Sequence, residues 1–373
     1  MISHPKSTNS LQTEYIPHHV HLVGSSPFAT NTEFFKHMST AFPHRLLTIP
    51  DGETGKRNFF VRWQLEVFAE SPHILKGFQQ IGDYTQHEAD PNASKEIKMK
   101  ATGYDDFAIE SYKEFCKLRR EGVIEQGVRF QVSLPTPVNV IGLCLLPEFY
   151  AEAEPMYEKG LLSALRRIQD EIPADDLAIQ WDMAYEIGML ELPVGFTSWF
   201  DGPIMDGIVE RITRLAKAVD PGVKIGFHLC YGDAGHKHFV ESEDLGVLVE
   251  IINQISGAVE RQINWFHVPV PKDRTDEAYF SPLMGLKLKR ETEMILGLAH
   301  AWDVEGTRKR IQVASPFLTN FGISTECGLG RSEKEEVEII LGVLAKATES
   351  IQPEPTSLVR IHRTLFIVSM LPN

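Results

Sequence analysis

The sequence predicts an α/β protein that folds as a single (β/α)₈ barrel. Short apolar stretches alternate with amphipathic ones along most of the 373 residues, which is typical of parallel strands joined by helices. Polar residues cluster where the apolar runs end, and such barrels keep their active sites at the carboxyl ends of their strands. An open, doubly wound sheet would usually show a glycine-rich phosphate loop after its first strand, and the sequence Gly-Ser-Ser-Pro at residues 24–27 is not one.

Eight strands are predicted, each a short apolar run bounded by turn-forming residues. They cover residues 18–24, 46–49, 128–134, 177–181, 223–229, 263–268, 293–299 and 320–324. The composition of the seventh run would also suit a helix. We assign it as a buried strand because it is continuously apolar, Met-Ile-Leu-Gly-Leu-Ala, directly before His300.

The helices are predicted from apolar residues that recur with the helical period. They cover residues 31–42, 59–69, 104–121, 155–171, 207–219, 245–259, 304–317 and 332–347. Asp105 and Asp106 are candidate caps for the third of these helices, and Ser332 with Glu335 has the pattern of a capping box before the last.

Three segments fall outside this alternation. Residues 1–16 are polar and lack an apolar signal region, so we predict a flexible N-terminal tail before a barrel of residues 17–373. Residues 72–99 have no clear period and are predicted to be an insertion of loops and short helices after the second strand. Residues 358–371 are apolar and are expected to dock on the barrel or on a partner.

Composition excludes several classes of protein. The net charge of −14 argues against a nucleic-acid partner or an anionic membrane, and no apolar run reaches the roughly 18 residues that a membrane span needs. Four cysteines in so long a chain do not form a disulfide framework. We therefore expect a reduced, cytoplasmic protein whose thiols are free to react or to bind a metal.

A metal site is predicted from the ends of two strands. His228 and Cys230 lie two residues apart, and side chains at that spacing on a strand point to the same side. Cys327 follows the last predicted strand, so it reaches the same site if the strand ends meet. Imidazole and thiolate are the ligands that zinc prefers, although a lone buried cysteine is more often a packing residue.

These segments together resemble the catalytic barrel of cobalamin-independent methionine synthase and its superfamily, which also contains the uroporphyrinogen decarboxylases. His228 and Cys230 match two zinc ligands of that family. The segment Glu-Cys-Gly-Leu-Gly-Arg at residues 326–331 resembles the one that carries another zinc cysteine, here Cys327. The resemblance implies a Zn²⁺ cofactor.

The resemblance also implies a pocket for an amino-acid thiol. Asp182 ends the strand Ile-Gln-Trp-Asp, and Glu53 lies in the loop Asp-Gly-Glu; in the family these carboxylates hold the amino group of homocysteine. Ser25 in Val-Gly-Ser matches the serine that holds the homocysteine carboxylate. His300 stands where the family has a histidine that protonates the departing folate.

Two departures from the family pattern bear on the reaction. The family has a glutamate zinc ligand where this sequence has Trp-Phe-His267, so we predict His267 as the substitute ligand. Full-length methionine synthases carry an additional N-terminal half that this sequence lacks, which leaves the alkyl donor open.

The implied function is zinc-dependent transfer of an alkyl group, most often methyl, to a small thiol or amino-acid-like substrate. Alternatives are a lyase or hydrolase in which the metal polarises substrate or water, or a protein whose zinc is purely structural. The pair His19 and His21 offers a competing metal site of the amidohydrolase type, although three residues follow it before its strand ends. His236 and His238 are expected to be solvated loop residues.

Overall fold

The computed structural model describes residues 15–76, 96–192, 195–232 and 237–349. Its centre is a parallel sheet of seven strands, hydrogen-bonded in the order in which they occur along the chain. The strands are β1 Thr48–Pro50, β2 Arg129–Pro135, β3 Leu177–Met183, β4 Lys224–Leu229, β5 Trp265–Pro269, β6 Glu293–Ala299 and β7 Phe321–Thr325.

Helices connect consecutive strands, as a parallel sheet requires. The α-helices are α1 Asn31–Ala41, α2 Tyr104–Arg120, α3 Pro137–Cys144, α4 Tyr150–Glu171, α5 Tyr185–Glu191, α6 Ile204–Ala218, α7 Gly246–Ala258, α8 Glu277–Phe280, α9 Val304–Ala314 and α10 Lys334–Ala347. Short 3₁₀-helices cover Gly55–Arg57, Phe60–Phe68, Pro72–Ile74, Pro147–Phe149 and Ser281–Gly285.

The strands are buried along nearly their whole length, which is typical of a parallel sheet covered on both faces. None of the helices within the described ranges is long and apolar enough to cross a lipid bilayer.

The first predicted strand, residues 18–24, is not a strand of this sheet, so the described part of the chain has seven strands where eight were predicted. Val20 nevertheless makes parallel bridges to Leu46 and to Ile323. The Val20 N–H donates to the carbonyl of Arg45, and the His21 N–H donates to that of Ile323. The segment therefore lies between the β1 and β7 edges of the sheet.

Side chains from the sheet donate hydrogen bonds to the carbonyl groups of residues 22 and 23, which a regular strand would use for pairing with its neighbours. Gln131 Nε2 donates to the carbonyls of Leu22 and Val23 at 3.2 and 3.0 Å. Gln180 Nε2 donates to the Val23 carbonyl at 2.8 Å. These buried amides hold residues 22–23 in place without a regular ladder, which is why the segment has the position of a strand and not its hydrogen bonding.

Several helices differ from their predictions. The helix predicted at residues 59–69 is the 3₁₀-helix Phe60–Phe68. Helix α4 begins at Tyr150, before the predicted start at Pro155, and carries that proline inside the helix. Helix α3 was missed because it is buried on nearly every side and shows no amphipathic period, although Thr136 caps its start.

Two predicted caps do not form. Helix α10 begins after Glu333, which makes no capping hydrogen bond, so the capping box of Ser332 and Glu335 is wrong. Helix α2 begins after Gly103, whose φ of 79° suits glycine. The carboxylates of Asp105 and Asp106 lie in its first turn and both pair with Arg167.

Other predicted segments lie partly or wholly outside the described residues. The predicted insertion at residues 72–99 contains Pro72–Ile74, and its residues 77–95 lie outside. Of the predicted tail, residues 1–14 lie outside, whereas the hydroxyl of Tyr15 donates to the Phe321 carbonyl at 2.8 Å. The predicted docking segment at residues 358–371 also lies outside. The division into a tail and one barrel domain stays a prediction.

Candidate metal centre

Three polar side chains form a row across the middle of the sheet. Asp182 on β3 is in register with His228 on β4, which is in register with His267 on β5. In-register residues of parallel strands point to the same side of a sheet. All three are buried, so the row forms the floor of a site near the carboxyl ends of the strands.

Two cysteines lie above this floor. Cys230 follows β4, two residues after His228, and Cys327 follows β7. Their sulfur atoms are 3.6 Å apart. The ligand atoms of His228, Cys230 and Cys327 all lie within 4.8 Å of one another, and among the residues that the structure describes these three form the group placed to hold a metal ion.

The donor set fits zinc. Two thiolates on a tetrahedral zinc at about 2.3 Å lie about 3.8 Å apart, close to the 3.6 Å between the two sulfur atoms here. His228 Nε2 is buried and has no hydrogen-bond partner among the described residues, although a buried polar atom normally has one. Three protein ligands are the number found at catalytic zinc sites, whereas structural sites usually have four.

Both ring nitrogens of His267, which the sequence predicted as a ligand, lie against other protein atoms. Its Nδ1 lies 2.7 Å from Nδ1 of His228, and its Nε2 lies 3.0 Å from the Thr325 carbonyl. A carbonyl can only accept, so Nε2 carries the hydrogen, and Nδ1 of the neutral ring accepts the Nδ1–H of His228. This assignment leaves His228 Nε2 unprotonated, with its lone pair available to a metal.

Burial lowers the pKa of His267 well below its ordinary value, and the neighbouring rings of His228 and His21 act in the same direction. The ring of His267 therefore stays neutral at physiological pH. A neutral His267 fixes the tautomer of His228, which is the usual task of a group behind a metal-binding histidine.

The two thiols are unequal. The S–H of Cys230 donates to the sulfur of Cys327, which raises the pKa of Cys230 well above and lowers the pKa of Cys327 well below the ordinary value. Arg331 Nη2 lies 3.6 Å from the Cys327 sulfur and also stabilises its thiolate. Cys327 is thus the thiol that ionises first, as a metal ligand must.

An apolar cavity of about 420 Å³ opens on one side of the cysteines. It is lined by both carboxyl groups that were predicted to bind substrate, those of Glu53 and Asp182, and by Ser25. Eight of the other lining residues have large aliphatic or aromatic side chains, and three are cationic: Val23, Phe59, Phe60, Val61, Leu143, Tyr185, Phe196 and Phe239, with Arg62, Lys237 and Arg331.

Glu53 and Asp182 lack a cationic partner. Asp182 Oδ1 accepts a hydrogen bond from Gln180 Nε2 at 2.9 Å, but within the described ranges no Lys, Arg or His lies within 4.0 Å of either carboxylate. The nearby Arg57 pairs with Asp51 at 2.8 Å. Unpaired carboxylates in an apolar pocket are unfavourable, so the cavity favours a cationic ligand.

The pKa values of both groups reflect this environment. Desolvation, with the Asp51 carboxylate second, raises the pKa of Glu53 to about 8. Desolvation and the charge of Glu53 raise the pKa of Asp182 well above its ordinary value. A bound ammonium group would reverse both shifts by favouring the charged carboxylates.

Ser25 lies beside the loop that follows Cys327. Its Oγ accepts the N–H of Gly330 at 3.3 Å, and its carbonyl accepts the N–H of Leu329 at 2.7 Å. A side chain at Gly328 would place its Cβ 2.5 Å from Ser25 Oγ. The structure therefore gives Ser25 a clear part in holding the cysteine loop against the residue 18–24 segment.

A second, polar cavity of about 800 Å³ opens on the other side of the cysteines. His300 lines it and lies beside Glu326, with its Nδ1 3.3 Å from Oε2. His300 Nε2 donates to the Val270 carbonyl at 3.0 Å. Burial, followed by the charge of Arg310, lowers the pKa of His300 to about 3, so its ring is neutral at physiological pH in this arrangement.

His238 lines both cavities and is not the solvated loop residue that the sequence predicted. Its Nε2 lies 3.3 Å from Glu326 Oε1, and its side chain is only 12% exposed. Burial alone would lower the pKa of His238, but the hydrogen bond and charge of Glu326 outweigh it and raise that pKa. His236 lies outside the described residues.

Backbone strain is concentrated at these cavities. Within the described part of the chain, four non-glycine residues have positive φ. Glu53 at 42° and Phe60 at 44° line the apolar cavity, and Trp302 at 58° lines the polar one. Strained conformations of this kind cluster at functional sites, which supports both cavities as parts of one site.

The competing site of His19 and His21 is not assembled. His19 Nε2 pairs with Glu293 at the start of β6, 3.0 Å away, whereas His21 Nε2 lies 2.8 Å from Gln180 Oε1. The two rings have separate protein partners and do not converge on one point.

Sequence reasoning missed Gln180, Glu326 and the aromatic residues Phe196 and Phe239 as parts of the site. Gln180 precedes Asp182 by two strand positions, so alternation along the strand was a usable signal. Glu326 adjoins Cys327 and could have been found from its position. Phe196 and Phe239 lie in irregular segments, where no periodicity points to a cavity.

No protein-family model matches this chain, and no curated protein matches it at a significant level. Solved structures do match. A protein from Listeria monocytogenes described as a vitamin B12-independent methionine synthase has a TM-score of 0.51 at 14% identity, with 89% of this chain and 97% of that chain covered. A B12-independent methionine synthase from a Shewanella species, solved with selenomethionine, has a TM-score of 0.56 at 12% identity over 90% and 97% of the two chains.

A methyltransferase from Methanosarcina mazei has a TM-score of 0.50 at 11% identity, covering 89% of this chain and 93% of that one. Identities this low are informative about the fold alone. The chain is therefore similar in fold, over most of its length, to cobalamin-independent methionine synthases and to a methyltransferase.

Proposed function

We propose that this protein is a zinc-dependent enzyme that activates a thiol for transfer of an alkyl group, most often methyl. The observation that carries the proposal is the donor set between the two cavities. It consists of His228 Nε2, buried without a hydrogen-bond partner among the described residues, beside two sulfur atoms 3.6 Å apart. The similarity in fold to methionine synthases and a methyltransferase supports the same chemistry.

We also propose that residues 18–24 occupy the eighth strand position and so close the sheet into a (β/α)₈ barrel. The parallel bridges from Val20 to Leu46 and to Ile323 support this, because they connect the segment to both edges of the seven-stranded sheet. The site would then lie at the carboxyl ends of the barrel strands, where enzymes of this fold have theirs.

His228, Cys230 and Cys327 would hold the metal. Zinc bound there would supply Lewis acidity that lowers the pKa of a substrate thiol, so that the thiol is a thiolate at neutral pH. His267 would keep the Nε2 lone pair of His228 available, and Arg331 would stabilise the Cys327 thiolate.

Glu53 and Asp182 would bind the ammonium group of the thiol substrate, with Ser25 at the same end of the cavity. Fixing the substrate at its charged end would orient its sulfur toward the cysteines and reduce the entropy lost on reaction. The same carboxylates would exclude anionic thiols.

The alkyl donor would enter from the polar cavity. His300 lines that cavity, and we assign to its ring, once protonated in the loaded site, the donation of a proton to the leaving group. The Glu326 carboxylate, 3.3 Å from its Nδ1, would stabilise the protonated ring and oppose the effect of burial.

Metal content is the first test of this function. Purified wild-type protein should contain about one zinc per chain, and Cys230→Ser and Cys327→Ser should each lose most of it. Cys116→Ser is the matched control, because Cys116 is a half-buried cysteine on helix α2, away from the donor set, and it should keep its zinc.

Thiol binding is the second test. Zinc-loaded protein should release about one proton for each amine-free thiol bound at neutral pH, measured by calorimetry in two buffers of different ionisation heat. An amine-free thiol is used because an ammonium group would also release protons from Glu53 and Asp182. Absence of zinc in the wild type, or thiol binding without proton release, would show that the proposed function is wrong.

A further inference from the structure

We propose that the thiol taken into the apolar cavity is an amine that carries an apolar body, aromatic or branched aliphatic, and is not a short amino acid. The inference rests on the proposed function and adds to it the substrate class of the same site. The cavity is the observation that carries it.

The size and lining of the cavity exceed what a short aminothiol needs. Its volume of about 420 Å³ lies in the range of roughly 300–1,000 Å³ typical of pockets that bury a drug-sized ligand. A four-carbon amino acid held at Glu53 and Asp182 would leave most of the aromatic wall in contact with water. Apolar surface of that kind favours an apolar ligand group.

One wall of the cavity is a continuous row of three rings. The ring centroids of Tyr185 and Phe196 are 5.0 Å apart, and those of Phe196 and Phe239 are 4.8 Å apart. Each ring presses on the backbone of a glycine, where a Cβ would come within 2.6 Å of it: Gly142 for Tyr185, Gly188 for Phe196 and Gly232 for Phe239. The row is therefore fixed in place before a ligand arrives, which favours binding.

Phe59, Phe60 and Leu143 add further apolar surface to the cavity. The backbone of Phe60 has a φ of 44°, a conformation that bulky residues rarely adopt. The residue in this conformation lines the cavity, where backbone strain is typical of a functional site.

The charged end of the cavity completes the description of the ligand. The carboxyl groups of Glu53 and Asp182 lie at the apolar cavity without a cationic partner among the described residues, and the cysteines lie at the boundary with the polar cavity. A ligand that satisfies all three features has an ammonium group, a sulfur atom and an apolar body. In an apolar pocket the ion pair is stronger than in water.

Four thiols test this inference on the zinc-loaded full chain. The first is 2-amino-3-phenylpropane-1-thiol, which has the amine and the apolar body. Cysteamine keeps the aminothiol and lacks the body, whereas 3-phenylpropane-1-thiol keeps the body and lacks the amine. Homocysteine represents the short amino acids. Binding is measured by calorimetry at pH 7.

We expect 2-amino-3-phenylpropane-1-thiol to bind at least tenfold more tightly than each of the other three, because burial of a phenyl group and of an ion pair each contributes about a factor of ten or more. Homocysteine or cysteamine binding as tightly as the phenyl aminothiol would overturn the inference and leave the proposed function standing. Failure of all four thiols to bind with proton release would instead contradict the proposed function.

Phe239→Ala should weaken binding of 2-amino-3-phenylpropane-1-thiol about five- to tenfold and change that of cysteamine less than about twofold. Phe200→Ala is the matched control, because Phe200 is also a half-buried ring in an irregular segment but packs on the Arg211 guanidinium, 3.7 Å away, outside the cavity. Phe239→Leu serves if the alanine variant does not fold, with a smaller loss expected. Equal effects of the Phe239 and Phe200 variants would overturn the assignment of the wall.

Discussion

The two cavities that meet at Cys230 and Cys327 differ in whether their carboxyl groups have cationic partners. In the polar cavity, Glu326 lies between two imidazole rings, 3.3 Å from each. In the apolar cavity, Glu53 and Asp182 have no cation within ion-pair distance among the described residues. A carboxylate that has a cationic partner within the protein contributes to the protein's own structure. A carboxylate that has none indicates the charge of the ligand that the cavity binds.

The sharpest way to break this comparison is to change one residue on each side. Asp182→Asn should weaken binding of an amine-bearing thiol about a hundredfold, because loss of a buried charge pair costs about 2–5 kcal/mol. The matched His300→Gln, in the polar cavity, should change the affinity for the thiol less than twofold, about 0.4 kcal/mol. Binding calorimetry on zinc-loaded variants measures both.

A neutral thiol is the control ligand for Asp182→Asn and should bind the variant and the wild type alike. The asparagine can still accept the hydrogen bond of Gln180 Nε2 through its amide oxygen, so the pocket should keep its shape. Loss of zinc from this variant would contradict our assignment and place Asp182 among the metal ligands.

His267 belongs to neither cavity and supports the donor set from behind, so its variants test what the two sides share. His267→Leu should weaken zinc binding about 10- to 100-fold, because a group that orients a metal ligand typically contributes that much. Competition with a chromogenic chelator measures the affinity.

His267→Gln separates orientation from ligation. A glutamine amide can accept from His228 Nδ1 and donate to the Thr325 carbonyl, so it should restore most of the affinity lost in His267→Leu. A glutamine variant as weak as the leucine variant would show that His267 itself binds the metal, as the sequence predicted. His238→Gln is the control for a cavity histidine that does not contact His228.

The smallest expected effect is on stability and concerns Glu53. Its pKa is raised in the folded protein to about 8, from an ordinary value of 4.5, so the folded state binds the proton more tightly than the unfolded state. The contribution to stability is therefore fully present below about pH 4.5 and is lost as the pH rises through about 8.

Glu53→Gln removes this pH dependence. Relative to the wild type, its Tm should be unchanged at pH 5 and higher by roughly 2–4 °C at pH 9, measured by calorimetry at fixed zinc. Glu66→Gln, an exposed glutamate paired with Lys56, should show no such trend. A Tm difference that is the same at both pH values would mean that Glu53 is not desolvated.

The sequence predicted most of the strands because parallel strands buried on both faces leave a readable apolar run, as at residues 223–229. It failed for residues 18–24, where Gln131 and Gln180 from distant strands take the carbonyl groups of the ladder. It failed for helix α3 because a helix buried on all sides has no amphipathic period. Both failures come from tertiary contacts that no local pattern records.

The candidate site shows the same limit. His228 and Cys230 follow from alternation along one strand, and Cys327 from the meeting of strand ends at one edge. His267 was predicted as a ligand because its strand position matches one. Its register with His228, at which the two rings come within 2.7 Å, depends on the pairing of β4 with β5 and could not be read from either strand alone.

The bridges of Val20 have a consequence for how the chain is made. The carbonyl of His21 accepts a hydrogen bond from the hydroxyl of Ser324, 303 positions later. At roughly 5–20 residues per second, the ribosome supplies that partner about 15–60 s after the first. Until then the residue 18–24 segment lacks its β7 neighbour, and its open edge can pair with other chains. Cys327 emerges with the same late segment, so the pairing of residues 18–24 with β7 and the completion of the donor set both wait for that segment.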